Sequence, residues 1–435
     1  MHCTILAIGS RGDVQPLIAL GVGLKNAGYE VRIATHADFE AFVKQHDLEY
    51  FQLTGNAARF YGGPAAAALR DRSRKAGEFL SFFQNYLSTF LDKLLIGCWE
   101  ASQDTDCLLC WSWTRAGPSL AERLGIPVFM VGNYPVIHFP TRAFPNPYQG
   151  SMPVDSTPEE NLLSWQKSRN LTRVGQDHID RWRQQTLGLA PISWEEELAA
   201  LQQLPHLLGF SPAVLPKPPD WPEWVYITGY WLLDAPVDYT PPPELTDFLS
   251  SRPAPVAIGF SSQIRRDARR INQIVIEALA QAEQSGIIIA GWSRLKGIEL
   301  PETIFRIRFV PYDWLFPHVA AMVHQGGSGS AAMALRAGVP NMAVPFGYEQ
   351  ELWGRQIAAQ GAGVAPILPG DLTPERLAEA IRRLVEDEAI RHHAARLSAT
   401  LRVEDGVGTA VQIIKQILAG QKPSVQEDTS LRPAY

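Results

Sequence analysis

Four cysteines, no basic excess and no long apolar run mark what this chain of 435 residues lacks. Cysteines at 3, 98, 107 and 110 are too few and too clustered for a disulfide framework. Lys and Arg number 39 against 45 Asp and Glu, a net charge of −6, which argues against a nucleic-acid partner. No stretch of ~20 uninterrupted apolar residues reads as a transmembrane helix. The chain opens on a strand-like run, without the basic start and cleavage site of a secretory leader. These absences predict a cytoplasmic chain whose contact with membrane, if any, is peripheral.

Metal and redox chemistry find little support either. Cys107 and Cys110 form a C-x-x-C inside "DTDCLLCWSW", but no second ligand pair follows. Strand-like residues three apart face opposite sides, so two buried strand cysteines are expected, and no metal site.

What is present is an alternation. "CTILAIG" (3–9) is the continuous apolar run of a strand buried on both faces. Leu17, Leu20 and Leu24 then fall at helical spacing, with Pro16 expected in the helix's first turn and Gly28 as its stop. "YEVRIATH", "LLCWSW" and "PVFMVGNYP" continue the series. A second one runs through "APVAIGFSS", "IIIAGW", "FRIRFVPY", "AAMVHQGG" and "PNMAVPF". Strands alternating with helices predict an α/β chain of two Rossmann-like doubly wound domains facing across a cleft. The expected boundaries are 1–215 and 251–405, joined by a proline-rich linker over 216–250. A helix over 406–420 packs on one domain or the other, and the polar residues 421–435 read as a disordered tail. The Phe-rich stretch 78–100 is expected to be a core helix, the alternative being a wall of an apolar acceptor pocket or a membrane-touching face.

Two stretches carry chemistry. In "VHQGGSGSAAMALRAGVP" (323–340) a strand ends at His324 and a glycine-rich loop leads into a helix. Glycines let backbone N–H groups approach a phosphate, and the helix N-terminus favours its charge. His324 adds a donor expected to aim at the same place. The loop lacks the Lys-Ser/Thr of a Walker motif and the spacing of a dinucleotide fingerprint. In "VPFGYEQELWG" (344–354), Glu349 and Gln350 follow a strand's C-terminal end. A carboxylate beside an amide suits the adjacent hydroxyls of a sugar, although a solvated polar loop would look the same.

Together with "GSRGDVQPLIALGVGL" and "FSPAVLPKPPDWPEWVYITGYW", these blocks resemble the inverting nucleotide-sugar glycosyltransferases of the GT-B fold. The sterol 3-β-glucosyltransferases and the bacterial macrolide and glycopeptide glycosyltransferases are the most similar groups. The resemblance implies a C-terminal donor domain, an N-terminal acceptor domain, a nucleotide-sugar co-substrate such as UDP-glucose, and neither metal nor cofactor. It places Phe309 and Val310 at the donor base. His324, Gly326, Gly327, Ser328, Gly329 and Ser330 fall at the diphosphate, with Ser261 and Trp292 at the same cleft edge. Glu349 and Gln350 would hold the sugar. Asp13 would be the general base, with Ser10, Arg11 and Gly12 forming the turn beside it, and His324 would be the second catalytic residue. "HQGGSGS" and "PFGYEQELWG" depart from the usual "HHGGSGT" and "PFFGDQPFWG", Glu replacing Asp at the sugar.

The function implied is transfer of a hexose to a hydroxyl of a large apolar acceptor (a sterol, hopanoid, carotenoid or polyketide). Phe82, Phe83, Trp111 and Phe144 are the candidate acceptor-pocket residues. A nucleotide-sugar epimerase or a non-catalytic activator subunit of the same fold are the competing readings. A carboxylate at a helix N-terminus is favoured in its charged form, so Asp13 is expected to be ionised at neutral pH.

Overall fold

The computed structural model describes residues 1–56, 90–136, 138–149, 152–153, 155–168, 173, 175–233, 239–260, 268–290, 299–347 and 349–423. Seven parallel strands form the first sheet: β1 (His2–Leu6), β2 (Glu30–His36), β3 (Glu49–Leu53), β4 (Cys107–Trp111), β5 (Val128–Gly132), β6 (His206–Leu208) and β7 (Val225–Ile227). Their spatial order is β3-β2-β1-β4-β5-β6-β7. Every residue of β4 and β5 is buried, as continuous apolar runs in a doubly covered sheet require. All four cysteines are buried and unpaired, Cys107 and Cys110 on β4 among them.

The second sheet holds β8 (Val256–Gly259), β9 (Gly286–Ile289), β10 (Ile304–Ile307), β11 (Ala321–His324) and β12 (Asn341–Ala343). Its order is β10-β9-β8-β11-β12, again parallel throughout. In both sheets the strand order therefore reverses once, between β1 and β4 and between β8 and β11. Open α/β sheets bind ligands at the carboxyl ends of the strands beside such a reversal. Asp13 follows β1 and the glycine loop follows β11.

The proline-rich stretch 216–250 is not one linker. β7 lies within it and completes the first sheet, while Trp221 and Trp231 are buried in that domain's core. The Trp221 indole N–H donates to the Phe139 carbonyl at 3.0 Å. Its prolines 216, 218, 219 and 222 shape the connection from β6 to β7. Helix Pro243–Ser250 already belongs to the second domain, where Leu245 and Phe248 pack with Ala257 and Ile287. The crossing is confined to residues between Ile227 and Pro243.

The chain crosses back before its last helix, Gly406–Leu418, which docks on helix Arg11–Asn26 of the first domain. Ala410, Val411 and Ile414 share one core with Leu17, Leu20 and Leu24. The fit is close: a Cβ on Gly23 would stand 2.2 Å from Val407. Among the described residues no helix is long and apolar enough to cross a membrane. The predicted tail beyond residue 423 lies outside them.

Candidate active site

The turn that carries Asp13 is crowded. β1 ends at Leu6, and Gly9 (φ 140°) swings the backbone into helix Arg11–Asn26, whose N-cap is Ser10. No side chain fits at position 9, since a Cβ would lie 2.5 Å from Oδ2 of Asp13. That oxygen accepts the Ser10 backbone N–H at 2.7 Å and the Ser10 hydroxyl at 2.8 Å. The other, Oδ1, accepts the Tyr134 hydroxyl at 3.4 Å. Gly12 plays no part in turning the chain; it lies within the helix. Pro16 also stands deeper than expected, in the helix interior beyond the first turn.

Burial raises the Asp13 pKa to about 6, against the lowering effect of the Ser10 and Tyr134 hydrogen bonds. The helix N-terminus, expected to favour the charged form, is outweighed here by desolvation. Asp13 is still mostly ionised at pH 7, but it titrates close to neutrality, where a general base is most useful. Tyr134 stands edge-on to Trp111 at 5.3 Å and to Tyr148 at 6.4 Å, and Tyr148 edge-on to Trp113 at 5.3 Å. These rings form an aromatic wall beside the carboxylate.

The corresponding turn of the second domain is open where the Asp13 turn is filled. Helix Ser328–Ala337 has Gly327 as N-cap and no side-chain cap, so the N–H groups of its first turn lack partners within the helix. A Cβ on Gly329 would meet nothing within 4 Å. Gly326 (φ 85°) is forced by packing, because a Cβ there would lie 2.4 Å from the Gln350 carbonyl.

His324 does something other than predicted. It is completely buried, with Nε2 3.0 Å from Oδ1 of Asn341 and Nδ1 accepting the Gly326 N–H at 3.0 Å. Accepting at Nδ1 fixes the Nε2–H tautomer, which donates to Asn341. Burial lowers its pKa to about 4, so the ring is neutral. As placed, His324 braces the glycine loop from behind; neither nitrogen is left to meet a diphosphate.

The two sides meet directly. The Ser328 hydroxyl donates to the backbone carbonyl of Asn133 at 2.8 Å, and the Asn133 amide donates to the Gly12 carbonyl at 2.9 Å. Buried Glu351 accepts the Met152 N–H at 3.2 Å and pairs with Arg355, which also holds the carbonyls of Met152 and Pro153. Glu349 has its pKa raised to about 8, mainly by burial, with the charge of Asp13 adding to it. It is largely protonated at neutral pH, and can donate a hydrogen bond as well as accept one. The Oε1 of Gln350 accepts the Phe346 N–H at 2.8 Å, which fixes the loop before it.

Other predicted residues are redistributed. Phe309 is 55% exposed and stacks on the Arg11 guanidinium, 5.2 Å from its ring centre; Phe42 covers the same cation at 4.8 Å. The Val310 side chain is in the core with Leu245 and Leu315, which leaves only its backbone to meet a base. Phe144 is no pocket residue: it is buried between Trp165 and Trp221, as its apolar neighbours dictate. Trp111 is buried behind Tyr134. Phe82, Phe83, Ser261 and Trp292 lie outside the described residues. Among the described residues no three His, Cys, Asp or Glu side chains converge as a metal site would.

Asn133, Tyr134 and Tyr148 escape the sequence reading. "GNYP" stands at the carboxyl end of β5, one strand beyond the sheet reversal, and that strand-end position was the available signal.

Comparison with known proteins agrees with this architecture. Residues 3–143 match the glycosyltransferase family 28 N-terminal domain, and 273–413 the erythromycin biosynthesis protein CIII-like C-terminal domain. A sterol 3-beta-glucosyltransferase of Arabidopsis thaliana is 32% identical over all of this chain and 71% of its own length. One of Pichia angusta is 34% identical over 94% of this chain, which spans only 33% of that relative. The chain thus covers about a third of its fungal relatives. Solved structures share the fold: the glycosyltransferase of kitacinnamycin (TM-score 0.69, 19% identity, 95% of this chain and 98% of that one) and the calicheamicin glycosyltransferase CalG4 (0.69, 17%, 97% and 99%). Two parallel-sheet α/β domains and a relative 32% identical, matched over 71% of its own length, place this chain in the sterol 3-beta-glucosyltransferase family of GT-B glycosyltransferases.

Proposed function

We propose that this chain is an inverting hexosyltransferase that moves glucose from UDP-glucose to a hydroxyl of a large apolar, sterol-like acceptor. The observation that carries the reading is the meeting of Asp13 with an uncapped helix N-terminus across the Asn133–Ser328 contact. A base and an anion site at such a junction suit displacement at a carbon bearing a phosphate leaving group. Names borne by the relatives support glucose and sterol; the aromatic wall beside Asp13 supports an apolar acceptor.

In this mechanism the acceptor oxygen attacks the anomeric carbon from the face opposite the diphosphate. Its proton passes to Asp13 as the new C–O bond forms. The bond to the phosphate oxygen breaks with its electron pair, and UDP leaves. First-turn N–H groups of Ser328–Ala337 meet the charge that develops there, which fixed dipoles do without reorganisation. Neutral His324 contributes by holding Gly326 in place. Glu349 and Gln350 hold the sugar hydroxyls, Glu349 entering as donor or acceptor according to its protonation. With one displacement the configuration inverts.

The test is incubation with UDP-glucose, UDP-galactose or dTDP-glucose against a panel of sterols and polyketides, with the anomeric coupling of the product read by NMR. A β-glucoside formed from UDP-glucose with an apolar acceptor is the expected result. Isomerised donor without acceptor, or donor binding with no turnover on any acceptor, would contradict the proposal.

A further inference from the structure

Pro16 lies inside helix Arg11–Asn26, four residues after Gly12. In a regular helix the residue-16 N–H would bond the Gly12 carbonyl; proline has no N–H and crowds that carbonyl as well. The side-chain amide of Asn133 supplies the missing donor, at 2.9 Å across 121 residues of sequence. Its own backbone carbonyl is gripped by Ser328 in the first turn of the donor-domain helix. Asn133 is almost fully buried, and among the described residues its Oδ1 has no partner, a costly arrangement to keep.

Resting on the function proposed above, we infer that Asn133 is a positioning residue for the base. Its amide stands in for the helical N–H that Pro16 lacks, and so fixes the turn carrying Asp13. Because Ser328 holds the same residue from the other domain, the orientation of the base and the seating of the diphosphate loop are set together. Asp13 itself takes the proton; Asn133 acts only through the Gly12 carbonyl and the turn above it.

The proline makes a direct test available. In Asn133→Ala the Gly12 carbonyl loses its donor; in Pro16→Ala/Asn133→Ala a backbone N–H becomes available to replace it. Asn133→Ala is expected to lower kcat by roughly ten- to a hundredfold, the penalty of a slightly misplaced base, while UDP binding stays close to wild type. Amide exchange over residues 11–14 should quicken. The double variant should recover both the rate and the exchange protection. Wild-type kcat in Asn133→Ala, or a double variant no better than the single one, would overturn the inference. Should Asn133→Ala fail to fold, the double variant must fold and turn over; equal failure of both would also overturn it. The exchange measurement needs no turnover, so it separates this inference from the identity of the reaction: absence of transfer by the wild type would sink only the latter.

Discussion

Two helices start at the reversal points of the two sheets, and they begin in opposite ways. Helix Arg11–Asn26 is closed by its own carboxylate, Asp13 taking the N–H and hydroxyl of Ser10. Helix Ser328–Ala337 begins on a glycine with no side-chain cap. Both termini attract negative charge. The first has satisfied that attraction internally, with a carboxylate pushed up to about 6 by burial; the second leaves it for a ligand. On the function proposed above, a repeated architecture would thus supply a proton acceptor on one side of the cleft and an anion site on the other, and the difference lies in what occupies the first turn.

Removing the internal charge breaks the comparison most strongly. Asp13→Asn should lower the transfer rate by ~10²–10⁴-fold, the usual worth of a positioned base, and leave UDP affinity near wild type by calorimetry. Next in size is pH dependence. The rate at limiting substrate should fall below an apparent pKa of about 6, as Asp13 protonates, and Asp13→Asn should lose that limb. Stability adds a separate acid effect. His138, His206 and His324 are buried with pKa values lowered to about 4, 3 and 4. Unfolding lets them bind protons at their ordinary pKa, so their contribution is present above ~6.5 and is lost as pH falls from there toward 4. Thermal melts across that range should show Tm dropping, less steeply in His206→Phe. The smallest change concerns the motif's second glycine. At Gly12 an added Cβ meets only the Ser10 Oγ, at 3.7 Å, so Gly12→Ala should raise stability by about 0.5–1 kcal/mol, read as a small rise in Tm.

Much of this contrast was legible before any coordinates. Apolar runs and helical spacings announce two doubly wound domains, because parallel strands buried on both faces leave that pattern. Asp13 and the glycine loop stand at strand ends, where such folds bind ligands. What escaped depends on contacts between distant residues. The two nitrogens of His324 are consumed by Asn341 and Gly326, a fact no local pattern contains. Val310 and Phe144 turn toward cores that only the assembled sheets define. The segment 216–250 misled because prolines that shape a β6–β7 connection look like those of a linker. Pro16 belongs with these, since only the helix start at Arg11 moves it from the expected first turn into the interior. A proline inside a helix declares an unserved carbonyl four residues earlier, although not that Asn133 serves it.

The most direct test sets the two first turns against each other through their glycines. Gly9→Ala drives a Cβ against Asp13, and Gly326→Ala drives one into the Gln350 carbonyl. UDP binding and glucosyl transfer should be measured on both variants side by side. The account predicts a crossed result: Gly9→Ala binds UDP and scarcely transfers, whereas Gly326→Ala loses UDP affinity. Loss of UDP affinity in Gly9→Ala with none in Gly326→Ala would contradict the division of labour between the two helices.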